Sequence, residues 1–275
     1  MNKKLIIYLS ILLFLTGTAF INRKAPSPCS EERESKYAFD AGEELTYKLY
    51  YHWGIVWLPA GEVKFKVNGH QTGWHFEADG YTYGSYEWFY KVRDRYESIV
   101  DSSSFLPTWS VRDIEEGGYK LYDELNYDHA QGKVKSLRGK TRAQAKLAEY
   151  SIEPCVQDIL TVMYKMRNTD VTQLSHGDEL PVDFFLDKNT YSINMRYKRD
   201  EDRLKIKGLG RFDAYVFSPE LIGGDVFQEG TEMDIYVSKD KNKIPLLVES
   251  PLKVGSVKAV LKSYSKLKHN LDAES

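Results

Sequence analysis

The sequence predicts a mainly antiparallel β protein, a β-rich α+β fold in which a large curled sheet or open half-barrel carries one main helix near residues 155–167. Two observations predict this class. Apolar and polar residues alternate along much of the chain, as in strands with one buried and one solvated face. One segment instead repeats its apolar residues at helical spacing. A long twisted sheet tends to curl, because curling hides its edges.

The N-terminus has the pattern of an export signal. Lys3 and Lys4 precede an apolar run over residues 5–14, and small residues follow it. This order predicts a signal peptide over residues 1–19 and a periplasmic or secreted protein. The apolar run is short for a membrane span, which needs roughly 20 residues, and an uncleaved anchor is the alternative.

The rest of the chain divides by composition. Residues 20–38 are polar and charged, which predicts an extended N-terminal arm. Residues 39–268 carry the alternating pattern and predict a single β-rich domain, followed by a polar tail over residues 269–275.

The strands follow from alternation bounded by turn residues. Apolar residues share one face in seven segments, at 45–51, 63–67, 74–78, 191–197, 212–216, 233–237 and 257–261. Turn residues separate such segments, for example at Asn68-Gly69 and at 116–118, 208–210, 223–224 and 240–242.

The main helix is predicted over residues 155–167. Apolar residues recur there at helical spacing, at Val156, Ile159, Leu160, Met163 and Met166. Pro154 suits a first helical turn, and Asp158 near the start and Arg167 near the end match the helix dipole. A second, weaker helix is predicted over residues 141–149, where Ala and Lys are frequent.

The two cysteines, Cys29 and Cys155, predict a disulfide that joins the N-terminal arm to the start of the helix. Two unrelated thiols are the alternative. The formal net charge of −2 argues against nucleic acid, which demands a basic face. We expect a monomer that is soluble after signal removal or associated with a membrane surface.

Aromatic residues are concentrated in two segments that we interpret as loops, at 54–60 and 84–89. They predict a ligand-binding surface formed by Trp53, Trp57, Tyr83, Tyr86, Trp88 and Phe89. Such rings could line a cleft for lipid tails or stack on sugars. The alternative is that they pack on a pleated sheet, where aromatic residues are common.

A polar cluster is predicted where Val-Arg-Asp occurs twice, at 92–94 and 111–113, on strands expected to pair. Its members are Arg93, Asp94, Arg95, Arg112 and Asp113. Two carboxylates could serve acid–base chemistry, but carboxylates paired with arginine have lowered pKa values, which favours a solvated ionic surface. The sequence has no nucleophile motif and no His or Cys ligand spacing, so we predict neither catalytic residues nor a metal or cofactor.

An ordered series of short motifs completes the pattern: 39–47, 57–63, 90–98, Leu106-Pro107, 158–160, 244–249 and 255–257. From about Phe39 to Lys266 the chain resembles the exported family called domain of unknown function 3108, found in Gram-negative envelopes. The resemblance implies an exported β-rich protein and brings no activity or catalytic residue with it.

These observations favour a non-enzymatic envelope protein that binds an apolar or amphiphilic ligand, a lipid or a lipoprotein. A carbohydrate- or peptidoglycan-associated binding module is the alternative, because the same rings could stack on sugars. An enzyme that acts on envelope glycans through Asp94, Glu97 or Asp113 is the least favoured hypothesis.

Overall fold

The computed structural model describes residues 37–53, 56–88, 90–220, 232–252 and 255–272. The signal peptide and nearly all of the N-terminal arm therefore lie outside the described residues. The strands are β1 (Glu44–Trp53), β2 (Val56–His70), β3 (Gly73–Thr82), β4 (Val92–Asp101), β5 (Pro107–Glu116), β6 (Tyr119–Asp128), β7 (Lys133–Gly139), β8 (Lys146–Ser151), β9 (Glu179–Leu186), β10 (Asn189–Ile206), β11 (Gly210–Pro219), β12 (Asp234–Ser238), β13 (Pro245–Pro251) and β14 (Ser256–Ser265). The helices are α1 (Gly84–Glu87) and α2 (Ile159–Asn168), with a 3₁₀ turn at Arg142–Gln144.

The fourteen strands of the described residues form one antiparallel sheet in the order β8-β7-β6-β5-β4-β3-β2-β1-β14-β13-β12-β11-β10-β9. Neighbouring strands are consecutive in the chain except where β1 pairs with β14. Strands β8 and β9 are the two edges, and the ladder does not close between them. The predicted fold class, a large curled and open β sheet with one main helix, is confirmed.

The sheet curls around α2. This helix packs against β3 and β4 in one half of the sheet and against β9 in the other half. Just before the helix, Gln157 forms a short bridge to the edge strand β9, because its N–H donates to the Asp183 carbonyl at 2.9 Å and its carbonyl accepts from Phe185 at 2.8 Å. The interior of the curve is apolar near α2, where the Tyr164 ring stacks on Phe76 with centroids 3.9 Å apart.

Helix α2 begins four residues later than the sequence pattern predicts. Asp158 is its N-cap, with its carboxylate accepting hydrogen bonds from the N–H groups of Leu160 and Thr161. Upstream, Cys155 has a φ of 64°, a left-handed conformation that an α-helix excludes. The apolar spacing identified the helix, but Val156 belongs to the connection that precedes it.

The second predicted helix, over residues 141–149, is wrong. Its first part is the 3₁₀ turn, and its remainder is β8, which pairs with β7. Ala and Lys have high helix propensity, but differences in propensity amount to less than about 1 kcal/mol per residue, and pairing with β7 outweighs them. The two predicted aromatic loops are also corrected, since β2 already begins at Val56 and α1 occupies Gly84–Glu87.

In the described part of the chain, no helix is both long enough and apolar enough to cross a membrane.

Candidate functional site

An apolar cavity lies between α2 and the inner face of strands β9 to β13. Its volume is about 120 Å³. Its walls are formed by Phe65, Ile159, Leu160, Val162, Met163, Met166, Arg167, Val171, Phe184, Ile193, Met195, Phe217, Ile235, Val237, Lys243, Pro245 and Val248. The lining is aliphatic, aromatic or thioether except for Arg167 and Lys243. Such a space excludes polar ligands, because they would lose hydrogen bonds to water without replacement.

The N-terminus of α2 is fixed to β4 through Asp158. Besides capping the helix, the Asp158 carboxylate accepts hydrogen bonds from the Ser98 hydroxyl on β4 and from the Thr161 hydroxyl at 2.8 Å. Burial raises the pKa of the Asp158 carboxyl above its ordinary value, while these hydrogen bonds act in the opposite direction. The first turn of the helix is therefore held against one half of the sheet.

The C-terminal end of α2 is fixed through Arg167. Its guanidinium forms two hydrogen bonds to the Glu43 carboxylate, at 2.5 and 2.9 Å, and Nε donates to the Asn242 carbonyl at 2.9 Å. Arg167 and Glu43 are 2 % and 1 % exposed. The ion pair joins the helix to the residue before β1, and the hydrogen bond from Nε joins it to the turn between β12 and β13.

Between these attachments the helix presents two apolar sides. Leu160 and Tyr164 pack into the core of the β1–β4 half, where Tyr164 contacts Phe39 and Phe76. Val162 and Met166 face the second apolar cluster, which strands β9 to β13 build. The cavity is the space that remains between this second side and the sheet.

Lys243 differs from Arg167 in its surroundings. It lies in the turn between β12 and β13, is half-buried, and donates from Nζ to the Thr169 carbonyl at 2.6 Å. Burial lowers the pKa of the Lys243 ammonium, and Asp170 acts in the opposite direction. Arg167 is neutralised by Glu43, whereas Lys243 forms no ion pair with a carboxylate of the described residues.

The aromatic residues predicted to form a ligand-binding surface lie near the end of β1 and the start of β2. This is the end of the strands opposite the β12–β13 turn that carries Lys243. Trp57 is half-buried, with its ring stacked on His52 at 4.7 Å and Lys258 Nζ 3.8 Å from the ring centroid. Trp88 is 84 % exposed. None of the four described members Trp57, Tyr83, Tyr86 and Trp88 lines the cavity.

The other aromatic residues contribute to structure at that end. Tyr83 precedes α1 and donates its hydroxyl to Glu62 at 2.6 Å, and Tyr86 lies half-buried in α1. Trp53 is the last residue of β1, and Phe89 lies outside the described residues.

The predicted polar cluster is divided between the two faces of the sheet. Asp94 and Arg112 point inward and are buried, while Arg93, Arg95 and Asp113 are exposed on the outer face. Pairing sets this division, because Arg95 lies opposite Asp113. A single ionic cluster of all five residues is therefore wrong.

The two arginines of the outer face pair with nearby carboxylates, of which the sequence had singled out only Glu97. Arg95 contacts Glu97 at 2.6 Å and Asp79 at 3.3 Å, and Arg93 contacts Glu87. On the inner face Asp94 accepts from the Glu115 N–H at 3.2 Å.

Arg112 belongs to a buried ionic network that sequence reasoning missed. Its guanidinium donates to Asp123 at 2.8 Å and to Asp187 at 2.6 Å, and Arg138 also contacts both carboxylates. Burial acts to raise the pKa of the Asp187 carboxyl, but the two guanidinium groups outweigh it and hold that pKa below its ordinary value. Asp187 lies in the β9–β10 turn, so the network links strands β5, β6 and β7 to the turn that follows the edge strand β9.

The described residues contain no group of three or more His, Cys, Asp or Glu side chains arranged to hold a metal ion. Cys29 lies outside the described residues, so the disulfide between Cys29 and Cys155 stays a prediction. Cys155 itself lies in the connection before α2.

The sequence did not identify the cavity because its walls come from distant segments. One signal was available in the apolar side chains of Ile193 and Met195, which share a face of a strand that carries a polar residue between them. The apolar side chains of Val162 and Met166 on the helix indicated the opposite wall of the cavity. The strand order that places the helix beside these strands cannot be deduced from either segment alone.

Fold and site together define a barrel-like antiparallel sheet that is not closed and that holds an apolar cavity beneath an internal helix. The chain belongs to the family described as protein of unknown function DUF3108, whose model matches residues 46–262. A solved structure, described as a beta-barrel-like protein of domain of unknown function DUF1849 from Brucella abortus, has a similar fold. It is 10 % identical, with a TM-score of 0.56 over 83 % of this chain and 99 % of that chain. No curated protein matches the sequence.

Proposed function

We propose that this protein is an exported, non-enzymatic binding protein that accommodates the apolar chain of an envelope lipid or lipoprotein in the cavity beside α2. The observation that carries the proposal is the chemistry of the wall. Apart from two cations, every described side chain that lines the cavity is apolar. The helix that forms one wall is fixed at both ends by buried polar contacts, so the cavity exists before a ligand enters.

The lining fits a hydrocarbon chain on energetic grounds. Each buried methylene group contributes about 0.8 kcal/mol, so affinity should rise roughly fourfold for each methylene added until the cavity is full. The flexible thioethers of Met163, Met166 and Met195 can adjust to a chain without a fixed shape.

The test uses a neutral apolar probe, N-phenyl-1-naphthylamine, whose fluorescence rises in an apolar site. The unmodified protein should bind it, and aliphatic alcohols of increasing length should displace it with increasing affinity. Met163→Trp fills part of the cavity and should weaken binding at least tenfold. The absence of a fluorescence rise with unmodified protein would refute the proposal.

A matched control is available on the same helix. Lys165 lies two positions further on, about 200° around the helix axis, and does not line the cavity. Lys165→Trp adds an indole ring of the same size and should leave binding of the probe unchanged. Equal losses in the two variants would show that the effect comes from altered helix packing. Thermal melts of both variants check that each remains folded.

The carbohydrate-binding alternative depends on the exposed ring of Trp88. Pull-down on purified cell-wall glycan, compared with lipid vesicles, separates the two functions. Trp88→Ala should leave probe binding and vesicle binding unchanged. Retention on glycan that is lost in Trp88→Ala would favour the alternative.

A further inference from the structure

Lys243 places a positive charge on a cavity wall whose other described side chains, apart from Arg167, are apolar. It lines the cavity together with Pro245 and Val171, at the end of the sheet opposite the exposed Trp88. Its ammonium has three N–H donors, and one donates to the Thr169 carbonyl. Among the residues that the structure describes, no acidic side chain contributes to the cavity wall. A half-buried cation beside an apolar space attracts an anion, because few other groups compete for it.

The other cation of the wall cannot take this role. Arg167 directs two N–H groups to Glu43 and one to the Asn242 carbonyl, so its charge and donor geometry are already used. Asp170 lies near Lys243 without forming an ion pair with it, and its Oδ1 accepts from the N–H and hydroxyl of Thr172 at 3.0 and 2.8 Å. Lys243 therefore remains available to a ligand.

We propose that the ligand is a single acyl chain with an anionic head group, and that Lys243 pairs with this head group while the chain fills the cavity. This inference rests on the proposed apolar-chain binding and adds the charge of the ligand to it. The ion pair would form at the end of the cavity near the β12–β13 turn, where Lys243 is half-buried and a head group can stay partly hydrated. A neutral chain of equal length would bind the same walls without this contact.

The experiment compares dodecanoate with dodecanol, which has the same chain length and no charge, in competition against N-phenyl-1-naphthylamine at pH 8. The unmodified protein should bind dodecanoate more tightly by about tenfold, the value of one charge-assisted hydrogen bond. Lys243→Met should bring the two ligands to nearly equal affinity by weakening dodecanoate alone. Methionine keeps an unbranched side chain at this position, whose φ is 46°, so it adds no new backbone strain.

Lys241→Met is the matched control, because Lys241 lies in the same turn, is exposed and does not line the cavity. It should retain the preference for dodecanoate. Equal affinities of the unmodified protein for dodecanoate and dodecanol, or a preference that survives in Lys243→Met, overturns the inference and leaves apolar-chain binding intact. If neither ligand displaces the probe, apolar-chain binding itself fails.

The same proteins titrated with dodecyl phosphate identify the head group. If dodecanoate binds more tightly than dodecanol and this preference is lost in Lys243→Met, the ligand is a free fatty acid. If only dodecyl phosphate shows such a preference, the ligand is a phosphate ester. Either result supports an anionic ligand.

Discussion

Replacing Arg167 with methionine should be among the most destabilising single changes in the described part of the chain. The substitution keeps an apolar stem of similar length and removes the guanidinium. Glu43, 1 % exposed, is then left as a buried carboxylate without its counterion, and the Asn242 carbonyl loses its donor at 2.9 Å. Removing one partner of a buried pair costs about 3–5 kcal/mol. That is a large share of the 5–15 kcal/mol that typically stabilises a protein.

Urea denaturation followed by fluorescence measures the loss. With a denaturant slope of about 2 kcal/mol per molar, the midpoint should fall by roughly 2 M urea. Adding Glu43→Gln to Arg167→Met should restore part of the stability, because the buried negative charge is removed as well. A loss below about 1 kcal/mol in Arg167→Met would refute the idea that this pair fixes α2 to the sheet.

Arg95→Met is the control. Arg95 contacts three carboxylates, those of Glu97, Asp79 and Glu77, whereas Arg167 contacts one. The Arg95 side chain is nevertheless 49 % exposed. Exposed ion pairs contribute about 0–1 kcal/mol because water already solvates both charges. A loss in Arg95→Met equal to that in Arg167→Met would show that burial does not determine the effect.

Three further predictions concern stability. Tyr164→Phe should raise the melting temperature or leave it unchanged, because the buried hydroxyl has no hydrogen-bond partner among the described residues, and a lower melting temperature would contradict this. Asp187→Asn should destabilise the protein at pH 7 in urea titrations. The pKa of Asp187 in the folded protein is held below its ordinary value, so the carboxylate stabilises the fold fully above pH about 4. This contribution is lost as the pH falls through the folded-state pKa. The difference in unfolding free energy between Asp187→Asn and the unmodified protein should therefore shrink in acid. Cys155→Ser should lower the melting temperature, because a disulfide to Cys29 would close a long loop and contribute about 4–5 kcal/mol in the chain-entropy model, and two titratable thiols in the native protein would exclude the bridge.

The fold class could be predicted because its signals are local. Alternation along a strand indicates that one face is buried, and the spacing of Ile159, Met163 and Met166 indicates a helix. Neither signal depends on which element packs against that face. The helix boundary was less accessible. Asp158 at a cap and Asp158 in a first turn look alike in sequence, and the left-handed backbone of Cys155 has no signature in the residue type.

The site could not be predicted because it depends on which face of the sheet each residue occupies and on the order of the strands. Val-Arg-Asp occurs identically on β4 and β5, yet Asp94 faces inward from the first copy and Arg112 from the second. The register that places Asp94 opposite Ile114 decides this, and register is set by the whole ladder. The cavity needs strands β9 to β13 beside α2, an arrangement that no short segment contains.

The strand order has a consequence for how the chain folds. Every described ladder except that between β1 and β14 joins strands that follow each other, so each half of the sheet can grow hairpin by hairpin with small loop-closure entropy. The β1–β14 ladder is different, and the contact between Glu62 and Lys262 beside it joins residues 200 positions apart. That long-range closure should set the folding rate. This closure joins the half of the sheet built from β1 to β8 to the half built from β9 to β14, and α2 lies between the apolar clusters of the two halves.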